Sequence, residues 1–187
     1  RGAWNSVRLA LIASVSSGLM GIFIGYAVVK GRGTTLSRSV EQISFLPYLV
    51  PGIAFGALYL ALFARSYGPL PALYGTFFLI ILVCVAKNLP FSARAGISSM
   101  MQIGAELEEA SEVAGARWSR RFRRIIFPLS MRAALSGFLL VFITVMRELA
   151  LIILLVTPES RTLTTMTFRY QEQGYTQFSS AISVLII

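Results

Sequence analysis

The chain has 187 residues, of which 56% are hydrophobic and 13% are charged, and its formal net charge is +9. This composition excludes an ordinary soluble domain and indicates a membrane protein. A single cysteine, Cys84, and the absence of histidine exclude an internal disulfide and the usual zinc or haem ligand sets.

Several apolar runs are long enough to cross a bilayer as helices of about 20 residues. We therefore predict an all-α polytopic membrane protein, a helical bundle of about five transmembrane helices. Because the chain starts without methionine and stops inside the fifth run, we interpret residues 1–187 as a fragment of one transmembrane domain. The predicted spans are residues 9–29, 43–63, 73–89 and 133–156, followed after Gln177 by an incomplete fifth span.

Small residues recur at every fourth position of the first span, at Ser17, Gly21 and Gly25. Such spacing lets a second helix approach the backbone closely. We predict that this side of the helix packs inside the bundle, and a ligand-binding role is the less favoured alternative.

The second span contains Pro47, Pro51 and Gly52. Proline lacks the backbone donor and clashes with the preceding turn, so the first half of this span is predicted to be kinked or broken. A broken backbone at membrane depth is tolerated only where protein or a water-filled cavity surrounds it. The three residues are therefore candidates for a translocation path or its gate, and a merely bent structural helix is the alternative.

Lysines and arginines divide unevenly between the two predicted sides of the membrane, and the richer side is expected to be cytoplasmic. Topology also accounts for the basic residues better than nucleic-acid binding does, because they adjoin apolar spans. The richer side comprises Lys30, Arg32, Arg38, Lys87, Arg94, Arg117, Arg120, Arg121, Arg123, Arg124 and Arg132; the other comprises Arg1, Arg65, Arg161 and Arg169, with Arg8 at its edge.

A polar stretch, residues 90–130, lies on the richer side. It is predicted to contain a short amphipathic helix, residues 105–114, which Gly115 ends with a left-handed cap. Ser119 is a candidate N-cap for a second short helix that Pro128 is expected to end. The apolar face of the first helix comprises Leu107, Ala110, Val113 and Ala114, and its acidic face carries Glu108 and Glu112.

The charges of this stretch suggest two different roles. The arginines that follow Gly115 are typical of an anchor at lipid headgroups. Glutamates gain nothing from an anionic inner leaflet, so the acidic helix is predicted to dock onto another protein.

The sequence from Glu109 to Pro128 resembles the cytoplasmic loop of binding-protein-dependent ABC importer permeases. The motif of that family is Glu-Ala-Ala, three residues, Gly, nine residues, Ile, one residue and Leu-Pro, and every spacing fits. Two letters differ, with Ser in place of the second Ala and Phe in place of Leu. The matching residues are Glu109, Ala110, Ser111, Gly115, Ile125, Phe127 and Pro128.

This resemblance implies that residues 90–130 form a coupling loop, whose helix sits in a cleft of a separate cytoplasmic ATPase subunit. It also implies a periplasmic or extracellular solute-binding protein, a second permease half or subunit, and a multi-pass location in the bacterial inner membrane. The chain itself would bind no cofactor, because ATP and magnesium would belong to the partner subunit.

The segments "SFLPYLVPGIAFGALYLALF" and "FITVMRELALIILLVTPESRTLTTMTFRYQEQGYTQFSSA" resemble ferric-iron-type permeases, in which two such halves are often fused. The chain is most similar to the second half. Ferric iron is therefore the first solute that the resemblance implies. Related permeases for polyamines, thiamine, phosphonates, sulfate or molybdate share much of the pattern and are alternatives.

Two adjacent charges, Arg147 and Glu148, lie well inside the fourth predicted span. Each would cost several kcal/mol if it faced lipid, so both are expected to face protein or water. As neighbours on a helix they would point about 100° apart, so each needs its own partner. They are candidates for the translocation path or gate, and a buried ion-pair network is the alternative. One carboxylate alone is a poor ferric site.

The sequence contains no G-x-x-x-x-G-K-[ST] nucleotide-binding motif and no hydrolase motif. We therefore predict that the chain is not an enzyme and that a partner subunit hydrolyses ATP. Two alternatives from other classes stay open: a proton-coupled secondary transporter that uses Glu148, and an intramembrane enzyme that uses Arg147, Glu148 and Glu172. Neither alternative would depend on Glu109 or Gly115, whereas an ABC permease would.

Overall fold

A computed structural model describes residues 1–66 and 72–186, and within these ranges the secondary structure is helical without a strand. The predicted all-α fold is therefore confirmed. The elements are α1 (Gly2–Lys30), α2 (Thr35–Leu49), α3 (Gly52–Phe63), α4 (Phe77–Gln102), α5 (Ala105–Val113), α6 (Trp118–Arg121), a π-helical turn (Phe122–Ile126), α7 (Phe127–Met146), α8 (Leu163–Glu172) and α9 (Thr176–Ile186).

Two single helices, α1 and α4, are each long and apolar enough to cross a membrane. Two bent pairs add to them: α2 and α3 meet at 104°, and Trp118–Arg132 meets Ala134–Met146 at 56°. If each pair is one span, the described residues hold up to four spans. The shorter apolar helix α9 lies where the fifth span is predicted, so the multi-pass helical bundle agrees with the sequence.

The helices α1 and α4 lie backbone against backbone. A methyl group at Gly21 would overlap the backbone of Ser92, and one at Gly25 would overlap that of Gly96. Ser17, one turn earlier on α1, is fully buried. The predicted packing role of this small-residue row is confirmed, because glycine is what permits so close an approach.

Apolar side chains fill two clusters on either side of this contact. The larger one joins α1, α3, α4, α7 and the turns after α7, and the smaller one joins α1, α4 and the π-helical turn. Lipid is as apolar as these side chains, so close packing rather than loss of water stabilises both clusters. The larger cluster includes Leu9, Leu79, Val83, Val141, Leu151 and Leu155, and the smaller one comprises Ile22, Met100, Phe122 and Ile126.

The predicted third span, residues 73–89, ends too early. The helix α4 continues through Pro90 to Gln102. Proline removes one hydrogen bond, but the residues beyond it pack against α1, and Met100 is almost completely buried. This packing holds the helix together across the proline. The polar stretch predicted to begin at Pro90 therefore begins after α4, which ends at Gln102.

The chain after Gly115 also differs from the prediction. Ser119 is not the N-cap, because α6 begins at Trp118 and its N-cap is Arg117, two residues before Ser119. Pro128 does not end the helix, since the π-helical turn leads directly into α7. In that turn the N–H of Phe127 donates to the carbonyl of Phe122. Such a widened turn accommodates a proline that brings no donor of its own.

The predicted fourth span, residues 133–156, is helical only in its first part. The helix α7 ends at Met146, and the chain continues in turns. These turns are packed, as the complete burial of Leu151 indicates. Arg147 and Glu148 are therefore not neighbours on a helix, and the predicted divergence of their side chains does not apply.

Side-chain contacts distinguish the two ends of the bundle. At one end Lys30 of α1 pairs with Glu108 of α5. At the other end the amide of Asn5 donates to the backbone oxygens of Glu159 and Arg161, 3.0 Å away in each case. Lys30 and Arg161 thus lie at opposite ends, as the distribution of charge predicts, whereas Lys87 of the richer set lies within α4.

Candidate functional site

The helix α5 ends in a Schellman cap. Gly115 has a φ of 77°, and its N–H donates to the carbonyl of Glu112 over 2.8 Å. The N–H of Ala116 donates to the carbonyl of Ser111 over 3.0 Å. This pair of bonds requires a left-handed residue between helix and exit chain, which glycine supplies without strain. The predicted cap at Gly115 is confirmed.

The carboxylate of Glu108 points toward the bundle. It pairs with Lys30 and accepts a hydrogen bond of 2.9 Å from the hydroxyl of Tyr26. Burial raises the pKa of Glu108, but the hydrogen bonds from Lys30 and Tyr26 and the charges of Lys30 and Arg121 outweigh it, so this pKa lies below its ordinary value. These contacts fix α5 on the end of α1.

A second set of contacts ties α5 to α6. The carboxylate of Glu112 lies 2.7 Å from the guanidinium of Arg121. The indole N–H of Trp118 donates to the Tyr26 hydroxyl over 2.9 Å, and its ring stacks on Phe122 with centroids 5.4 Å apart. The helix α5 is therefore attached both to α1 and to the helix that leads into α7.

The outward side of α5 is apolar at its centre. Leu107 is 49% exposed and Val113 is 90% exposed, and Ala110 lies exposed between them. Glu108 and Glu112, which the sequence suggests for docking onto another protein, are instead engaged within this chain. The open surface is thus the apolar side together with Glu106, Glu109 and the mostly exposed side chain of Glu112.

The residues of the twenty-residue motif separate into two groups. Glu109 and Ala110 are exposed on α5, whereas Ser111 is half-buried and its hydroxyl donates to the Glu108 carbonyl over 2.7 Å. The second group lies in the π-helical turn and the start of α7, and the fully buried isoleucine there is Ile126 rather than the motif residue. In this second group Ile125 and Phe127 are half-buried and Pro128 is exposed.

Replacing Glu108 with glutamine is expected to loosen α5, because Lys30 and Tyr26 lose a charged acceptor. A hydrogen bond to a charged group contributes about 1.5 kcal/mol or more, so the backbone amides of α5 should exchange with solvent about tenfold faster. The pKa is lowered in the folded state, so this stabilisation is present above pH 4.5, the ordinary value, and is lost as the pH falls through the folded-state pKa. Native-state hydrogen exchange measures both effects.

Glu106→Gln is the matched control, since Glu106 is exposed in the first turn of the same helix. It should leave the exchange rates within about twofold, as surface substitutions usually do. Equal acceleration in both variants would mean that the Glu108 contacts do not hold the helix.

A second group of polar contacts surrounds the break between α2 and α3. Pro51 has no N–H, so the carbonyl of Pro47, four residues earlier, lacks its helical donor. The ammonium group of Lys87 on α4 donates to the Pro47 oxygen over 2.7 Å and also to the oxygen of Val50. A side chain from a neighbouring helix thereby satisfies the carbonyls that the break leaves open.

Glu148 lies on the other side of this break. Its carboxylate accepts the N–H of Leu151 over 2.9 Å, and its backbone oxygen accepts the hydroxyl of Thr164 over 2.8 Å. A side chain at Gly52, the first residue of α3, would come within 3.9 Å of the Glu148 carboxylate. The opposite charges of Glu148 and Lys87 attract each other across the break. In residues 1–66 and 72–186 no three His, Cys, Asp or Glu side chains form a group that could hold a metal ion.

Arg147 is separate from this group. It is exposed and lines a groove of about 310 Å³ together with Thr164, Gln171 and Ser183. The structure therefore brings Pro47, Pro51, Gly52 and Glu148 together and leaves Arg147 outside.

Lys87 is a further candidate for the functional site, and the sequence analysis does not single it out. The distribution of charge predicts that it belongs to the cytoplasmic set of basic residues, but it lies in the first half of α4 against the broken helix. Its position in "VCVAKNLPF" is the signal that could have found it, because a lone lysine in an apolar run is costly without a partner.

The sequence also matches a protein family. Residues 17–187 match the family described as "Binding-protein-dependent transport system inner membrane component". The ferric transport system permease protein FbpB of Actinobacillus pleuropneumoniae is 31% identical over 195 residues, which cover all of this chain and 27% of that protein. This chain thus spans about a quarter of the length of that relative. The sulfate transport system permease protein CysT of Salmonella typhimurium is 25% identical over 95% of this chain and 68% of its own length.

The fold has a counterpart among solved structures. The inward-facing MetNI methionine ABC transporter contains a chain that superposes with a TM-score of 0.81 at 20% sequence identity. The superposition covers all of this chain and 86% of the other. The arrangement of helices described above is therefore that of a known transporter fold.

Proposed function

The chain belongs to the family of binding-protein-dependent transport system inner membrane components, and from this premise we propose that it is a permease segment of an ABC importer. A cytoplasmic ATPase subunit, which binds ATP and magnesium, drives the movement. A solute-binding protein on the outer side delivers the solute, and a second permease half or subunit completes the pathway. Family membership disfavours the proton-coupled carrier and the intramembrane enzyme.

In this proposal the coupling loop is the part of residues 90–130 that lies between α4 and α6, with α5 as the coupling helix. The observation that carries the proposal is the fixed position of α5 combined with its open apolar side. A short helix with apolar residues on its outer side fits recognition in a groove of another protein. Displacement of α5 would reach α1 through Lys30 and α7 through Arg121.

The motif residues have different tasks in this proposal. Glu109 and Ala110 contact the ATPase directly, while Ser111 and Gly115 shape the helix and its end. Ile125, Phe127 and Pro128 carry the displacement into α7, because they lie in the continuous helical connection that follows α6.

Cysteine cross-linking tests this assignment. The natural Cys84 is buried, so a cysteine introduced by Ala110→Cys is the reactive thiol of the chain. In the complete permease, co-expressed with an ATPase subunit that carries cysteines along its cleft, Ala110→Cys is expected to form a cross-link to that subunit. The product is measured as a heterodimer band that a reducing agent removes.

Glu172→Cys is the control, because Glu172 is exposed at the end of α8 and α8 lies near the N-terminal end of α1, away from α5. It is expected to give no ATPase product. If Ala110→Cys stays unreactive in a complex that co-purifies with the ATPase, α5 is not the coupling helix.

We propose that the break between α2 and α3 forms part of the translocation path or its gate. Support comes from the polar groups gathered there inside a membrane-spanning bundle, since such groups are rare and usually functional. Pro47, Pro51 and Gly52 shape the break, Glu148 and Lys87 carry its charges, and Arg147 lines the separate groove described above.

The solute is proposed from the relatives. Ferric iron is the first candidate, because the relative at 31% identity is named as a ferric transport permease. Sulfate is the second, because a relative named as a sulfate permease aligns over 95% of the chain.

A further inference from the structure

A cavity of about 450 Å³ opens between α2 and α4, at the end of the bundle near Lys30. Its wall carries three guanidinium groups and one carboxylate, which leaves a net charge of +2. The guanidinium groups are those of Arg32, Arg38 and Arg94, and the carboxylate is that of Glu41.

These arginines have no anionic partner within the described chain. The ion pairs in residues 1–66 and 72–186 join Lys30 to Glu108 and Arg121 to Glu112. The guanidinium of Arg94 lies 5.0 Å from the ring centroid of Phe45 on α2, which holds its charge at the cavity. Like charges gathered around one space repel each other, so a bound anion would lower their energy.

The cavity also has an apolar rim. Val28, Ile97 and Met101 line it beside the arginines, and Met101 is 58% exposed. On α4 the residues Arg94 and Met101 are seven positions apart and share one helix face. A ligand that fits this wall carries an anionic group for the guanidinium forks and a hydrocarbon part for the rim. Guanidinium groups bind phosphate oxygens in a bidentate manner.

We propose that this cavity binds the phosphate of an anionic phospholipid from the leaflet on the α5 side. The position between two membrane-crossing elements at the end of the bundle puts the arginines at headgroup depth. Free phosphate would satisfy the same arginines but leave the apolar rim uncovered, so the lipid is the better fit. This inference rests on the proposed membrane orientation and is independent of the ATPase contact.

The test uses the complete permease in detergent, titrated with short-chain phosphatidylglycerol and followed by native mass spectrometry. A basic residue near a membrane surface contributes about 1 kcal/mol to the binding of anionic lipid. The double variant Arg32→Gln/Arg38→Gln is therefore expected to bind this lipid about 30-fold more weakly. Arg32→Lys/Arg38→Lys keeps the charge but loses the bidentate guanidinium groups, so its affinity should lie between that of the unmodified protein and that of the glutamine variant.

The matched control is Arg65→Gln/Arg169→Gln, which removes the same charge from exposed positions outside this cavity. It should bind phosphatidylglycerol as the unmodified protein does. An equal loss of affinity in both glutamine double variants would mean that only the net charge of the protein matters. This result would overturn the proposal. Inorganic phosphate alone, if it bound as tightly as the lipid, would overturn the choice of a lipid. Copurification of the ATPase with the Arg32→Gln/Arg38→Gln variant separates this result from a failure of the proposed coupling.

Discussion

Replacing Gly96 with alanine is expected to lower the free energy of unfolding by about 3 kcal/mol or more. The added methyl group would overlap the carbonyl oxygen of Gly21 on α1. A backbone atom cannot turn aside as a side chain can, so α1 and α4 must separate along their length. Helix propensity alone predicts the opposite sign, because alanine is favoured over glycine in a helix by about 1 kcal/mol.

Gly18→Ala supplies the control for this experiment. Gly18 lies on α1, three residues before Gly21, and a methyl group there would meet no atom within 4 Å. This variant should be unchanged or more stable by up to about 1 kcal/mol. Unfolding of the complete permease in a detergent titration measures both variants. Stabilisation by Gly96→Ala would show that the two backbones are not in contact.

Replacing Lys87 with methionine is expected to remove most transport and part of the stability. The oxygens of Pro47 and Val50 would lose their shared donor, and an unsatisfied buried carbonyl costs about 1–3 kcal/mol. Glu148 would also lose the positive charge that faces it across the break. We expect ATP-driven uptake in vesicles to fall at least about tenfold, which corresponds to 1.4 kcal/mol.

Lys87→Arg keeps the charge and the donors, and it should restore a large part of the uptake. Arg65→Met removes one positive charge from an exposed position after α3 and should leave uptake unchanged. If Lys87→Met transports normally while the complex stays assembled, the ammonium group has no role at the break.

The existence of the spans could be predicted from the sequence, but several of their boundaries could not. The third span is predicted to end at residue 89 and the second short helix at Pro128, but in both places the helix continues. The two helices continue for different reasons. Beyond Pro90 the helix α4 packs on α1, and before Pro128 a π-helical turn accommodates a proline that has no N–H to donate. At Pro51 the helix does break, and Lys87 bonds to the carbonyls of Pro47 and Val50 there.

The candidate site could be predicted in part. The cap at Gly115 follows from local sequence, because the left-handed conformation depends on one residue. The direction of Glu108 does not, since it is set by Tyr26, 82 residues away in the sequence. Lys87 was missed for the same reason, because its acceptors lie 40 and 37 residues earlier in the chain.

The close contact of α1 with α4 has a mechanical consequence. Two helices whose backbones interlock cannot slide past each other, so α1 and α4 should move as one rigid unit. The helix α5 is attached to the end of this unit through Lys30. Bending within the bundle must then occur at other places, such as the break between α2 and α3, where the helices meet at 104°, and the turns after α7. Both places lie against Lys87 and Glu148. A displacement of α5 would therefore be transmitted to the region where these charged groups meet.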